Sequence, residues 1–139
     1  MDPHTFESLQ ENMKKNIMEV KSIINNPNAL EPSDGATFDR GVYLFQSVIK
    51  SLIAIGNDII IENDFRTPLN PADVFISLAE QRLISASIVP ALKKAAIAMP
   101  RISSSTKPEL MEMMTECISN FSQCLNSYSE YFASKKDGA

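Results

Sequence analysis

TFDRGVYLFQSVIKSLIAIGNDIIIEN, residues 37–63, is the stretch on which the fold turns. Phe38, Val42, Phe45, Ile49, Leu52 and Ile59 recur at helical spacing. Val48, Ile53, Ile55 and Ile60 widen that apolar face. A helix apolar over so much of its circumference belongs at the centre of a bundle, touching several neighbours. The run Ile59–Ile61 taken alone resembles a strand, but it is a short piece of a helical pattern. Gly56 sits inside this helix, where glycine costs about 1 kcal/mol relative to alanine. Its presence predicts the close approach of another helix.

Working outward toward the N-terminus, Phe6, Leu9, Met13, Ile17, Val20 and Ile24 step by three or four residues. They mark one face of a first helix, with Asp2 as N-cap and Pro3 as its first helical residue. NNPNALEPSDGA, residues 25–36, breaks the pattern with prolines, a glycine and Asn/Asp, and predicts an exposed loop.

Toward the C-terminus, NDFRTPLNP is a second break. Asn70, Pro71 and Asp73 then form a start signal for a short helix that buries Val74, Phe75 and Leu78. Ser85 or Ser87 caps a fourth helix running to about Met99, with Pro90 either in its first turn or kinking it. PRISSSTKP, residues 100–108, reads as a loop. Thr106 and Glu109 form a capping box that opens a long last helix. Leu110, Met114, Cys117, Phe121, Cys124 and Tyr128 form its apolar seam. Lys135, Lys136 and Gly138 supply its stop. The expectation is one all-α domain over residues 1–139, an up-and-down bundle of three long helices with two short ones before the last.

Composition narrows the function. The chain has 139 residues, 44% of them hydrophobic, and a formal net charge of -4. That charge disfavours a large phosphate-binding surface, though not a local basic patch. No apolar run approaches the roughly 20 residues of a spanning helix, and the first residues lack a signal peptide's apolar core. A cytoplasmic protein with no membrane association is expected. Cys117 and Cys124, if on one helix, stand roughly 10 Å apart along its axis. That is too far for a disulfide, so they read as reduced core residues.

Catalytic chemistry is thinly supplied. The one histidine, His4, lies near a terminus, where it reads as a solvated residue rather than part of a nucleophilic triad. One histidine and two cysteines do not make a zinc site. Neither a metal nor a cofactor is expected. Glu109, Glu112 and Glu116 follow one face of the last helix and read as a solvated acidic face near a helix N-terminus. Asn57 and Asp58 are polar residues in the apolar centre of the second helix. They read as a hydrogen-bonded pair, as a pair with one residue facing water, or as cleft residues. Among the methionines, Met114 reads as core, while Met99, Met111 and Met113 are open between core and an adaptable partner surface.

From Phe38 to about Ile102 the chain resembles the HepT-like branch of the HEPN proteins, helical toxins encoded beside minimal nucleotidyltransferases. SLIAIGNDIII, residues 51–61, matches the end of that family's long helix. ADVFISLAEQRLI, residues 72–84, matches the short helix after a proline-containing loop. SIVPALKKAA, residues 87–96, matches the next helix, and Pro108 to Phe132 matches the closing one. The resemblance implies a HEPN-like bundle, a homodimer that buries apolar residues of the second and fourth helices, and a nucleotidyltransferase-like antitoxin partner.

The family's RNA-cutting motif is an arginine followed four to six residues later by a histidine, often with a tyrosine two residues on. Here Arg101 is near the arginine position. The histidine window holds Thr106, Lys107 and Pro108, and no histidine follows Arg101 anywhere. Metal-independent RNA cleavage needs a group that moves protons near neutral pH, and serine cannot. The expectation is therefore a non-catalytic relative, descended from a toxin–antitoxin ribonuclease and acting by homodimerisation and protein binding. The alternative is a divergent ribonuclease. In it Arg101, Ser103, Ser104, Ser105 and Lys107 line a composite dimer cleft for RNA phosphate, with Arg101 and Lys107 catalytic.

Overall fold

The computed structural model describes residues 1–26 and 28–137, and Gly138 of the expected stop lies outside them. Five α-helices make up the described chain: α1 (Pro3–Ile24), α2 (Ala36–Glu62), α3 (Asp73–Glu80), α4 (Val89–Ala98) and α5 (Lys107–Asp137). Two 3-10 segments flank α4, Ala86–Ile88 before it and Met99–Ser104 after it. The all-α, up-and-down architecture is the one expected, and the fold is a helical bundle.

The local signals act as their chemistry predicts. The Asp2 carboxylate accepts the Thr5 backbone N–H at 2.8 Å, with Pro3 starting α1. The Asn70 side chain accepts the Asp73 N–H at 2.9 Å. Thr106 and Glu109 exchange hydrogen bonds at 2.8 and 3.2 Å. α2 starts from Gly35 at φ 70°, a left-handed turn that glycine adopts without strain.

Packing fixes the directions. α1 and α2 run antiparallel, since Glu19 meets Arg40 while the Met1 ammonium meets Asp58 at the other end. α5 returns antiparallel to α1, with Phe6 stacked on Phe132 at 4.3 Å between ring centroids. α3 and α4 pack together, α3 against α2 and α4 against both α2 and α5. α2 carries most of the core, as its breadth of apolar residues predicts. Leu44, Phe45, Val48, Ile49, Leu52, Ile55 and Ile59 have no exposed surface. Its most apolar 18-residue window, of mean hydropathy 1.5, comes nearer to a membrane span than the sequence reading allowed. Half of that window is buried inside the bundle, as in a core helix.

Gly56 bears out the close approach. A Cβ there would stand 2.7 Å from the Tyr128 hydroxyl, 2.7 Å from Val74 Cγ1 and 3.0 Å from Leu78 Cδ1. α2, α3 and α5 meet at this point. The space also lets the buried Tyr128 hydroxyl donate to the Leu52 carbonyl at 2.8 Å.

Two loop expectations need correction. Residues 99–104, read from Pro100 onward as loop, form a 3-10 segment. Ile102, only 2% exposed, draws it onto the core. Pro100 is tolerated because it sits in the first turn. The loop between α1 and α2 is not wholly exposed, because Leu30 is buried at 3% and anchors it.

Candidate functional site

The residues singled out for chemistry occupy three separate places. Arg101, Ser103 and Ser104 project into solvent from the 3-10 segment after α4, with Ser105 half-buried behind them. The segment is held to α2 by the Gln46 side-chain amide, which donates to the Met99 carbonyl at 2.9 Å. The Arg101 side chain makes no ion pair or hydrogen bond among the described residues. The Lys107 ammonium donates to the Glu31 carbonyl at 3.2 Å, tying the start of α5 to the α1–α2 loop.

Asn57 and Asp58 do not share a cleft. Asp58 pairs with the Met1 ammonium at 3.3 Å. Asn57 borders a hollow of about 310 Å³ between α2 and the following loop, with Ile61, Asp64 and Phe65.

His4 is exposed on the first turn of α1 and borders an open depression with Asp2, Glu7 and Lys136. The ammonium of Lys136 pairs with Glu7 at 3.4 Å. Asn16 of α1 is level with Ser47 of α2, its side-chain amide donating to the Ser47 hydroxyl, next to the Gln46 that holds Met99. From Asn16 back to His4 is roughly 18 Å of helix. The imidazole is therefore far beyond hydrogen-bond reach of the Arg101 segment within one chain.

The remaining titratable groups read as structural. Glu109 closes its capping box, which holds its carboxyl below the usual range. Glu116 pairs with Lys94 at 2.7 Å. Cys117 and Cys124 are buried and free. Burial pushes their thiols up to about 11 and about 12, which makes them poor nucleophiles at neutral pH. Met114 is fully buried, whereas Met99, Met111 and Met113 are half-buried. No three of His, Cys, Asp and Glu come together to hold a metal among the described residues.

Two features escaped the sequence reading. The first is an ionic clamp. Arg66 donates to both oxygens of Asp73 at 2.7 and 3.0 Å and to Glu80 at 2.7 Å. The Arg66 guanidinium, followed by the Leu69 N–H, lowers the Asp73 carboxyl to about 2. The Ser77 hydroxyl donates to the Arg66 carbonyl at 2.6 Å, so the loop is pinned along α3. The second is a groove of about 930 Å³ between α3 and α4, walled mainly by apolar side chains, with Ile97 at its edge. The signal for it was available: α4 carries more apolar residues than one core face can bury.

Chains of three solved structures share this architecture. One comes from a crystal structure of a mutant of the toxin–antitoxin MntA-HpeT. It gives a TM-score of 0.78 at 18% identity over 88% of this chain and 95% of that one. The fold is HepT-like. A chain from a toxin–antitoxin crystal structure with AMP-PNP gives 0.76 at 18% identity, covering 88% and 95% of the two chains. A further MntA-HpeT mutant gives 0.76 at 18% identity, covering 88% and 94%. No family model matches the chain, and no curated protein does. At this identity the likeness is one of fold, and function has to be argued from the site.

Proposed function

We propose that this chain is a non-catalytic HepT-like protein, a single domain over residues 1–139, which acts by homodimerisation and protein binding. In this reading it descends from a toxin–antitoxin ribonuclease and works in the cytoplasm. Its partner is a nucleotidyltransferase-like antitoxin or another helical subunit. The observation that carries the reading is the absence of an imidazole beside Arg101. The 3-10 segment after α4 offers an exposed arginine and serines, while the only histidine sits on the first turn of α1. An arginine can stabilise charge on a phosphorane, but proton transfer near neutral pH needs a second group. Lys107 is the one titratable base among the residues of the alternative cleft, and its ammonium donates to the Glu31 carbonyl.

The test is incubation of the purified chain with total RNA, alongside an Arg101→Ala variant. Intact RNA in both supports the reading. Robust cleavage that Arg101→Ala abolishes would overturn it and favour the divergent ribonuclease built on Arg101 and Lys107.

A further inference from the structure

α4 turns a second apolar side away from the core. Leu92, Ala95 and Ala96 are its buried residues. Val89, Pro90 and Ile97 instead wall the groove against Ile76 and Ala79 of α3, and Met113 of α5 joins them. Ile97 is 61% exposed, so this surface is open to water. At about 930 Å³ the groove has the size of a small-molecule site. Eleven described residues line it, where a standard protein interface takes about 20–30 a side. α3 has 8 residues and is therefore about 12 Å long. These dimensions suit a medium-length alkyl chain better than a folded partner.

The charges at the groove select the head group. Glu80, Lys93 and Lys94 border it. Two of them are already paired: Glu80 accepts from Arg66 at 2.7 Å, and Lys94 meets Glu116 at 2.7 Å. Lys93 is half-buried and makes no ion pair among the described residues. Asp73 feels the charge of Lys93, but its oxygens already accept from Arg66 and from the Leu69 N–H. Glu112, on α5, acts on Lys94. The uncommitted charge in this apolar groove is thus a cation, and an anionic head group would satisfy it. The hollow beside exposed Ile61 has no such cation. It is smaller, about 310 Å³, and Asp64 is its only charged wall residue.

We infer that the groove between α3 and α4 binds a medium-chain alkyl carboxylate, its chain between Ile76 and Ile97 and its carboxylate on the Lys93 ammonium. This site is separate from the non-catalytic reading of the Arg101 segment and stands or falls without it. It leaves the homodimer contact to α2, because the open side of α4 is a wall of the groove.

The experiment is calorimetric titration of the full chain with decanoate and with decyltrimethylammonium, both kept below micelle formation. It compares wild type with Lys93→Glu, Ile97→Glu and, as a control, Ile61→Glu, and light scattering follows the mass of each. Decanoate should bind wild type and Ile61→Glu saturably, one per chain. Lys93→Glu and Ile97→Glu should each raise its Kd about tenfold or more. Decyltrimethylammonium should bind wild type more weakly than decanoate, and Lys93→Glu should reverse that order. No saturable decanoate binding up to about 1 mM overturns the inference. Equal decanoate affinity in wild type and Lys93→Glu also overturns it, since the alkyl chain alone would then be binding. So does a wild-type dimer that Ile97→Glu dissociates, because a second copy would then fill the groove. If Ile97→Glu fails to fold, Lys93→Glu and the two head groups decide.

Discussion

The middle of α2 and the segment from Met99 to Lys107 are built on opposite terms. At Gly56 three helices meet so closely that one added carbon would collide with a hydroxyl and two methyl groups. Among the described residues, every buried side-chain nitrogen and oxygen has a hydrogen-bond partner. Along the segment after α4, Ile102 alone is fully buried, and Arg101, Ser103 and Ser104 face water. Packing dictates identity in the first region and leaves it free in the second. A bundle of this kind can keep its architecture at 18% identity.

The contrast is sharpest in stability. Gly56→Ala should destabilise by about 3 kcal/mol through overpacking, read as a shift in the urea midpoint. In a Tyr128→Phe background, which removes one of the colliding atoms, the same change should cost about 1 kcal/mol less. Equal costs in both backgrounds would show that the hydroxyl is not what Gly56 makes room for. Asp73→Ala should cost about 2 kcal/mol, because three donors lose their acceptor.

Asp73 also gives a pH signature. Its carboxyl lies near 2 in the folded chain, below the ordinary 3.8. The stability it contributes is complete above about pH 4 and is lost as pH falls toward 2. Asp73→Asn should flatten the pH dependence of unfolding in that window, and an unchanged slope would remove the clamp. Thr106→Ala should cost about 1 kcal/mol, the usual value of an N-cap. Arg101→Ala should stay within about 0.5 kcal/mol, as befits a surface residue. A large loss there would contradict the account of the exposed segment.

Much of this architecture is legible in the sequence because helical periodicity and caps are local signals. The steps from Phe6 to Ile24, the Thr106–Glu109 box and the glycine in α2 each predict a feature that the structure has. The rest depends on distant chain segments. Arg66 reaches Asp73 across a loop with no periodic spacing to announce it. Ile102 turns an apparent loop into a 3-10 segment by finding a buried site. The groove exists only because α3 and α4 are set side by side, and neither helix alone shows it. Asn57 and Asp58, adjacent in the chain, part company because neighbouring positions on a helix point to different neighbours.

The most direct measurement is the initial rate of phosphodiester cleavage in a labelled single-stranded RNA, for wild type and Arg101→Ala side by side near pH 7. Both rates should be indistinguishable from buffer. A wild-type rate about a hundredfold above buffer, falling to background in Arg101→Ala, would mean that the segment after α4 still cuts RNA without a histidine.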